Sequence, residues 1–581
     1  MIKENLQREL SLITLRKLLS VSRGGEKAEL LLQGGKVVNV FTREVLDTDV
    51  AIFKDRIAGI GSYKGRRKIN CHGLYILPGL IDGHIHMESS LLTPAQFAHT
   101  VVSHGTTAVV IDPHEIANVS GMIGINWLLK ASHGLPVDFF FMAPSSVPAS
   151  PVEDSGATLS ASHIEKLMNH PRVLGLAEVM DVAGILEGQK EVLKKVLAVR
   201  NHPVDGHAPL LSGAELNAYI AAGIGSDHES TRYNEAMEKL RLGMCLMVRE
   251  GSLAKDMAHL LRIKTPVLSD RSFLVSDDML PQDLINEGHV DRLLRRAIAL
   301  GLDPIEAIRM VTLNPANYFG LYHRGAIAPG YRADMVAVED LKDFRIRWVM
   351  KNGRIIVRKG KVSIPLKEVT PPLRLSKSIR AIPLSSNELR IPERPGHIRV
   401  IGVQPNSLIT RSLKLKPTVK NGAVVTDTRR DLLKVVVRDR YRRSKTMGVG
   451  FVKGFGIRMG AIASTVAHDA HNLIALGKDD EDIAKAINYL IQIGGGMVVI
   501  KENRLLSDLP LPIGGLLSNK RAKRIAHRMI HLDNVCRQLG TSLPHPFISL
   551  SFLALSVIPE LKITDRGLVD VKSERVVTLF Q

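Results

Sequence analysis

Cysteine is scarce in this sequence. Its 581 residues include three, Cys71, Cys245 and Cys536, which are widely separated, odd in number and never arranged as a CxxC pair. This usage argues against a disulfide framework and against a thiolate zinc site, because both need cysteines that come in pairs. A reducing compartment fits it best, and we predict a cytoplasmic protein.

A long apolar segment is also missing. The longest apolar run, around Phe547–Ile558, is too short to cross a bilayer. Residues 1–24 are amphipathic and lack the apolar core and cleavage site of a signal peptide. We therefore predict no membrane association. The length, with 45% hydrophobic and 23% charged residues, is typical of a globular protein of two or three domains.

Aromatic residues are few, at 4%, and acidic residues are outnumbered, which gives a net charge of +20. Such a charge can indicate a nucleic-acid partner. The basic clusters at 64–68, 438–443 and 519–528 are scattered and lack interleaved aromatic side chains that could stack on bases. We favour a solvated basic surface. A nucleic-acid-binding protein is the alternative, and it would bind with a steep dependence on salt.

The segment LPGLIDGHIHMESS, residues 77–90, carries the first chemical signal. Leu77, Leu80 and Ile81 predict a short buried strand, and His84 and His86 follow it. Since alternate side chains of a strand point to the same side, the two imidazoles project together, as one metal ion requires. An isolated HxH pair is more often two half-buried loop histidines, but here acidic residues flank the pair and further ligands follow.

The region from about residue 80 to 321 alternates strand-like with helix-like runs. The predicted strands, the first of which is the segment just described, lie at 77–86, 106–112, 138–143, 173–180, 203–207, 223–230, 243–251 and 272–278. Eight such units are the number that closes a (β/α)8 barrel. We therefore predict an α/β fold with a TIM-like barrel.

The flanking segments predict two further domains. Short strands with turn signals before and after the barrel predict one small split β-domain, with Asn352-Gly353 as a hairpin turn. A Pro-, Ser- and Arg-rich stretch without periodicity predicts a linker, and mixed strands and helices follow it. The predicted bounds are 1–24 for an N-terminal helical extension, 25–79 plus 322–366 for the β-domain, 80–321 for the barrel, 367–396 for the linker and 397–581 for a C-terminal α/β domain.

Imidazoles and carboxylates cluster at the predicted strand ends, where barrels carry their active sites. In chain order these residues are His84, His86, Asp112, His114, Glu115, Glu178, His207, His228 and Asp277. A converging set of this kind is what a hydrolytic divalent-metal site needs. The number of ligands favours two metals over one, with a carboxylate as bridge.

Several stretches of the sequence form a specific set of motifs. They are PGLIDGHIHMESS, TTAVVIDPHEIANVSG, GLAEVMD, GSDHES and REGS in the predicted barrel, and VKGFGIRMGAIASTVAHDAHN near the C-terminus. With these motifs the sequence resembles the bacterial and archaeal adenine deaminases of the amidohydrolase superfamily. The resemblance runs from about Lys36 to the end. It implies a hydrolase of cyclic amidines that converts adenine to hypoxanthine and ammonia in purine salvage, as a homo-oligomer.

The resemblance also implies roles for the site residues. His84 and His86 would bind the first metal and His207 and His228 the second, with Glu178 as bridge. Asp277 would bind metal and carry the proton from a metal-held hydroxide that attacks C6 to the departing amine. For this family Mn²⁺ or Fe²⁺ fits better than Zn²⁺, because carboxylate-rich sites suit harder ions.

Several residues have two open interpretations. Glu88 and Glu115 could protonate the purine ring or orient the histidines, and His114 could support the site or order its loop. The segment STVAHDAHN, residues 464–472, contains four polar side chains: His468, Asp469, His471 and Asn472. They could close over the barrel mouth and touch the substrate, hold an extra metal or belong to a capped helix start. The resemblance favours a supporting role at the site.

A related hydrolase is the main alternative to an adenine deaminase. Another member of the same superfamily could act on a different aminated heterocycle or on a cyclic amide. Many such enzymes bridge their metals with a carbamylated lysine, whereas the fourth predicted strand here offers Glu178 and no lysine. That difference favours the deaminases.

Overall fold

A helix and five strands form the N-terminal part of the chain. This computed structural model describes residues 10–263, 266–404 and 407–581. The helix spans Leu12–Ser22, and the Ser11 hydroxyl caps it by accepting the N–H of Thr14. Residues 1–9 of the predicted helical extension lie outside the described residues. The strands are β1 (Ala28–Asn39), β2 (Glu44–Phe53), β3 (Arg56–Ile60), β4 (Gly65–Asn70) and β5 (Tyr75–Pro78).

Short strands then alternate with helices as far as residue 318. The strands are β6 (Leu80–Ile85), β7 (Thr106–Ile111), β8 (Asp138–Ala143), β9 (Val173–Val179), β10 (Val204–Gly206), β11 (Ser226–Asp227), β12 (Cys245–Arg249) and β13 (Ser272–Val275). The helices between and after them are Pro94–Val101, His114–Ser120, Met122–Ala131, Ala161–Met168, Val182–Leu186, Lys190–Ala198, Gly213–Ala221, Tyr233–Arg241, Met257–Leu260, Val267–Asp270, Pro281–Asn286, Val290–Ala299, Pro304–Arg309 and Leu313–Tyr318. Two 3-10 turns, Met87–Ser90 and Val102–His104, complete the series.

The strands of this region form two curved parallel sheets. One has the order β10-β9-β8-β7-β6 and the other β11-β12-β13. Backbone hydrogen bonds join their edges on both sides. The Gly225 N–H donates to the Val204 carbonyl at 2.9 Å, and the Asp277 N–H donates to the His84 carbonyl at 3.1 Å.

Burial on both faces explains why these strands are continuous apolar runs. In β7 every residue is buried. Because side chains alternate along a strand, Ala108 and Val110 pack into an inner cluster with Phe273, whereas Val109 and Ile111 pack outward into the main core. The region is therefore layered, with an inner apolar filling, two curved parallel sheets around it and an outer layer of helices.

A second set of strands returns to the N-terminal sheet after the helices end. These are β14 (Met335–Val338), β15 (Ile346–Lys351), β16 (Arg354–Arg358) and β17 (Lys361–Val362). β14 pairs with β5, so the two segments share one sheet with the order β17-β16-β15-β14-β5-β1-β2-β3, and β4 pairs with β1. The turn between β15 and β16 is Asn352-Gly353, with φ of 49° and 74°, as the hairpin prediction requires.

The stretch from 367 to 396 contains more structure than its composition predicts. It includes the short helix Leu373–Ser376, the 3-10 turn Ser386–Leu389 and strand β18 (Ile391–Pro392). Leu375 and Leu389 are fully buried. A segment with frequent prolines shows no periodicity, yet its few leucines are enough to fix it against the core.

The C-terminal part is a mixed α/β unit. Its strands are β19 (Ile398–Gly402), β20 (Arg411–Leu415), β21 (Thr418–Lys420), β22 (Ala423–Val425), β23 (Leu433–Arg438), β24 (Met447–Lys453), β25 (Ala461–Ser464), β26 (Leu473–Gly477), β27 (Gly496–Lys501), β28 (Arg504–Pro510), β29 (Leu561–Thr564), β30 (Gly567–Asp570) and β31 (Arg575–Val577). The main sheet has the order β20-β19-β24-β23-β26-β25-β27-β28, and smaller sheets have the orders β18-β22-β21 and β29-β30-β31. The helices are Asp480–Ile493, Ala522–Gln538 and Pro546–Ser551.

Two features of this unit agree with the sequence. The helix Asp480–Ile493 has the predicted bounds and buries Ile483, Ile487 and Leu490. Gly494 ends it in the left-handed region at φ 79°, which is the expected glycine C-cap.

Among the described residues, no helix is both long and apolar enough to cross a membrane.

Polar contacts hold the C-terminal unit against the barrel region. The Asn472 amide donates to the Asp154 carbonyl at 2.8 Å, and the Thr564 hydroxyl donates to the Val152 carbonyl at 2.7 Å. The loop between β25 and β26, which contains Asn472, therefore packs against the loop that follows β8.

Candidate metal centre

The six residues predicted as metal ligands lie together at the carboxyl ends of the parallel strands. They belong to β6, β9, β10, β11 and β13 or directly follow them, and each is at most 6% exposed: His84, His86, Glu178, His207, His228 and Asp277. The reason is topological, because strands that run in parallel end at the same edge.

Glu178 lies at the centre of this group. Its Oε1 is 3.3 Å from His86 Nε2, and its Oε2 is 2.8 Å from His207 Nδ1 and 3.0 Å from His228 Nε2. Burial alone would raise the pKa of Glu178, but these imidazoles hold it well below the usual range. Glu178 is therefore an ionised carboxylate with one oxygen towards each half of the site.

Asp277 faces the first pair of histidines. Its Oδ1 lies 3.5 Å from His84 Nε2 and 3.2 Å from His86 Nε2. Burial opposes ionisation, but the two imidazoles lower the pKa of Asp277 well below its ordinary value. Its backbone adopts φ 56°, a left-handed conformation that few residues except Gly, Asn and Asp adopt easily.

The ring nitrogens of this site fit a divalent cation. Buried nitrogens without a hydrogen-bond partner occur in three of its histidines, at His84 Nε2, His207 Nε2 and His228 Nδ1. Such atoms are costly unless something binds them. Ligand atoms of His84, His86 and Asp277 lie within 4.8 Å of one another, as do those of His84, Glu178 and His228. Imidazole and carboxylate ligands together suit a divalent metal ion.

His114 extends the cluster on one side. Its Nδ1 is 2.9 Å from Asp112 Oδ2 and 3.4 Å from Glu178 Oε1. Despite its burial, the neighbouring carboxylates Asp112 and Glu115 raise the pKa of His114 well above its ordinary value. His114 thus links the central Glu178 to the carboxylate of Glu115.

The two candidate acids, Glu88 and Glu115, have different surroundings. Glu88 accepts the N–H of Ile116 at 3.3 Å in the first turn of the helix His114–Ser120, and burial with repulsion from Glu115 raises its pKa to about 7. Glu115 instead lines the cavity beside the metal centre and contacts His468 and His471. Of the two, Glu115 is the one placed at the cavity.

Arg249 and Glu229 are site residues that the sequence analysis missed. Both terminal nitrogens of the Arg249 guanidinium donate to the Glu229 carboxylate. Its Nε is 2.9 Å from Asp256 Oδ2, and its Nη1 is 3.3 Å from Asp277 Oδ2. The available signal was an arginine at the end of the buried apolar strand CLMVR, since a charge there needs buried partners.

Two adjoining cavities open at the metal centre. The inner one, about 30 Å³, is lined by metal-site residues on one side and by C-terminal side chains on the other: Leu408, His468, Asp469, Phe552, Leu555 and Ile558. The outer one is about 540 Å³ and shares Glu229, Arg249, Leu408 and Ile558 with it. The C-terminal unit therefore supplies the apolar wall that faces the metal ligands.

Lys562 supports this wall from behind and provides a prediction on stability. It is fully buried, its ammonium donates to the carbonyls of Leu408 at 2.8 Å and Phe552 at 2.9 Å, and burial lowers its pKa to about 7. Between that value and the unfolded pKa of about 10.4, the unfolded chain holds a proton that the folded chain lacks. The free energy of unfolding should therefore rise with pH across this interval, and Lys562→Met should lose that rise.

Urea unfolding at about pH 7, 8.5 and 10 measures the effect. Lys572→Met, at an exposed position, is the matched control and should keep the wild-type slope. A slope for Lys562→Met as steep as that of the wild type would contradict the prediction.

Known proteins were compared with this sequence and structure. The family profile "Amidohydrolase family" matches residues 75–356, and "Adenine deaminase C-terminal domain" matches residues 407–575. The adenine deaminase of Kosmotoga olearia is 44% identical over 571 residues, 97% of this chain and 98% of that protein. That of Methanothrix thermoacetophila is 44% identical over 568 residues, 97% and 99% of the two chains. Among solved structures, a beta-aspartyl dipeptidase of Fervidobacterium islandicum AW-1 is 17% identical, with a TM-score of 0.44, and the match covers 58% of this chain and 99% of that one.

The first profile assigns the parallel-strand region, with its imidazole and carboxylate cluster, to the amidohydrolases. The identity to its relatives extends over nearly the whole length, including the C-terminal unit. The chain therefore belongs to the adenine deaminase family.

Proposed function

We propose that this chain hydrolyses adenine to hypoxanthine and ammonia in purine salvage. The observation that carries the proposal is 44% identity to curated adenine deaminases along 97% of the chain. The buried cluster of metal-ligating side chains supports it, since hydrolysis of an aromatic C–N bond at neutral pH needs an activated water. A cyclic amidase would fit less well, because β9, the fourth strand of the parallel series, carries Glu178 and no lysine.

The architecture that serves this reaction is a closed (β/α)8 barrel with two added domains. The hydrogen bonds between Gly225 and Val204 and between Asp277 and His84 support closure, because they join the two parallel sheets at both edges. The split β-domain comprises 25–79 plus 322–366, the barrel 80–321 and the C-terminal domain 397–581. The extension 1–24 and the linker 367–396 complete the chain.

The residues of this centre would hold two divalent metal ions, with Mn²⁺ or Fe²⁺ preferred. His84, His86 and Asp277 would hold the first ion and His207 and His228 the second, and Glu178 would serve both. The two carboxylate oxygens of Glu178 face different histidines, which supports Glu178 as the residue shared by both sites. When bound, the ions lower the pKa of a water molecule and so supply a nucleophile at neutral pH.

Asp277 moves the proton during the reaction. The oxygen of water forms a bond to C6, and Asp277 takes a proton from that water through Oδ1. It passes the proton to N6, the C6–N6 bond breaks and ammonia leaves. Its ionised state supports this role, because a carboxylate must be free to accept the proton. Glu115, held ionised in the same cavity, accepts hydrogen bonds and cannot be the acid that protonates the ring.

Substitution of two ligands tests the proposed function. His86→Ala and Glu178→Ala should each fold, lose bound metal and release no ammonia from adenine, because the first removes a proposed ligand of the first ion and the second removes the carboxylate proposed to serve both. Metal content by elemental analysis and ammonia release by a coupled assay give the result. His133→Ala and Glu165→Ala, both at exposed positions, are the controls. Wild-type turnover in either ligand variant would contradict the assignment.

The assembly and the compartment follow from the family. A homo-oligomer in the cytoplasm fits a salvage enzyme that has three separated, unpaired cysteines. Light scattering of the purified chain, compared with its monomer mass of 63.8 kDa, tests the oligomer.

A further inference from the structure

The loop between β25 and β26 brings His468 and His471 against Glu115 of the barrel. His471 Nε2 contacts Glu115 Oε2, and His468 Nδ1 lies 2.5 Å from Glu115 Oε1. All three side chains are at most 5% exposed. One barrel carboxylate is therefore held from two sides by imidazoles that the C-terminal unit supplies.

The backbone fixes the tautomer of His471. The Ala467 N–H donates to His471 Nδ1 at 3.1 Å, so that nitrogen carries a lone pair and no hydrogen. In the neutral ring the hydrogen then sits on Nε2, from which it is donated to Glu115. Burial keeps the ring neutral, since it lowers the pKa of His471.

This tautomer argues against a third metal at the cluster, although Glu115, His468 and His471 have ligand atoms close enough for one. A metal-ligating histidine binds through one nitrogen and donates a hydrogen from the other. Here the outer nitrogen of His471 accepts a hydrogen bond, and the inner one carries the hydrogen. The arrangement is that of a hydrogen-bonded carboxylate.

Glu115 in turn sets the state of His468. Burial opposes its charge, but Glu115, Asp278 and Asp469 raise the pKa of His468 to about 9, so its ring is an imidazolium at neutral pH. Of the groups around it, His471 is kept neutral and adds little opposing charge.

The ring of His468 is held flat against the cavity wall. It stacks on Phe552 with centroids 4.7 Å apart and planes at 11°. Both rings line the inner cavity, together with His86 and Glu178 of the metal centre. Nδ1 faces Glu115, which leaves Nε2 to meet a ligand in that cavity.

From this geometry we propose that His468 is a catalytic residue that donates its Nε2 proton to N1 of adenine, and that Glu115 and His471 are positioning residues that hold it there. The inference rests on the proposed deaminase function. It assigns the ring-protonating acid to the C-terminal unit and not to the barrel, and it makes the barrel alone an incomplete active site.

The proton balance of the step is simple. Protonation of N1 withdraws electrons from C6, where the C–O bond to water forms, and the C6–N6 bond then breaks. Of the two protons of that water, one leaves with ammonia and the other restores the imidazolium. The proton given to N1 stays there as the N1–H of hypoxanthine.

Four variants test the assignment: His468→Gln, His471→Gln, His471→Leu and, as an exposed histidine control in the same unit, His527→Gln. His468→Gln should lower kcat for adenine by about 10²- to 10⁴-fold, the range of a lost general acid. Its bound metal per chain should equal that of the wild type. The wild type should show an alkaline decline in kcat/KM near pH 9, where the His468 ring loses its proton, and this decline should be absent from His468→Gln.

The two His471 variants separate positioning from simple packing. Glutamine offers an N–H near the place of Nε2, so His471→Gln should keep most of kcat, whereas His471→Leu leaves Glu115 without that donor and should lower it by at least about tenfold. His527→Gln should match the wild type.

Three results would overturn the inference and leave the proposed function intact: His468→Gln within twofold of wild-type kcat, His471→Gln as poor as His471→Leu, or one metal fewer per chain in the His471→Leu variant, which would make the cluster a metal site. A wild-type chain that releases no ammonia from adenine would instead end the proposed function itself.

Discussion

Asp277→Asn should lower ammonia release from adenine by at least about 10³-fold, because it removes both the proposed proton acceptor and a carboxylate beside His84 and His86. Asparagine is the suitable replacement. It tolerates the left-handed backbone at φ 56° almost as well as aspartate, so the loss reports on charge and not on strain. Steady-state kinetics with metal analysis of the same preparation measure the effect.

Asp278→Asn is the matched control for this experiment. Asp278 also faces the inner cavity, but it accepts a hydrogen bond from the Ser89 hydroxyl and makes no contact with the histidine pair. We expect a smaller loss than for Asp277→Asn. The assignment of the proton carrier would be wrong if Asp278→Asn lost more activity than Asp277→Asn.

Arg249→Met should both destabilise the fold and lower the activity. The guanidinium is 3% exposed and contacts three carboxylates, those of Glu229, Asp256 and Asp277. Removing one partner of a buried ion pair leaves uncompensated charge, which costs about 3–5 kcal/mol. The repulsion also displaces Asp277 from the position it needs for proton transfer, so kcat should fall together with stability.

Urea unfolding followed by circular dichroism measures the first effect, and kcat for adenine the second. Arg249→Lys keeps the charge but not the bidentate hydrogen bond to Glu229. Its losses of stability and of kcat should therefore lie between those of the wild type and those of Arg249→Met. Arg295→Met removes an arginine that is one-third exposed and paired with Asp291, and should cost at most about 1 kcal/mol. If Arg249→Met and Arg295→Met lowered the free energy of unfolding equally, the argument that burial makes the Arg249 ion pairs costly to break would be wrong.

Much of the fold could be predicted because its signals are local. Strand β8 and the helix Asp480–Ile493 have the predicted bounds, since each is a long run with clear apolar patterning. The predicted strand at 223–230 is reduced to Ser226–Asp227, where glycines and polar residues weaken the pattern. The stretch 367–396 was predicted as a linker but buries leucines, because a few contacts need no periodicity.

The convergence of the predicted ligand side chains could also be anticipated. The predicted ligands lie at the ends of parallel strands, among them His84, Glu178 and His207. Because these strands end at the same edge, the side chains meet there independently of the conformation of the loops. Arg249 was missed because nothing local distinguishes a buried arginine from an exposed one. The contact of His471 with Glu115 joins residues 356 positions apart in the chain. The local sequence around either residue contains no signal that predicts this contact.

The sequence by itself determined the order of strands and helices and the presence of imidazoles and carboxylates at successive strand ends, because side-chain alternation and strand direction are properties of the local backbone. Only the tertiary structure decided which distant charges meet: that Arg249 contacts three carboxylates, and that His468 and His471 contact Glu115. Ion pairing in a buried site depends on which groups arrive together after water is excluded, and that is settled by the packing of the C-terminal unit against the barrel.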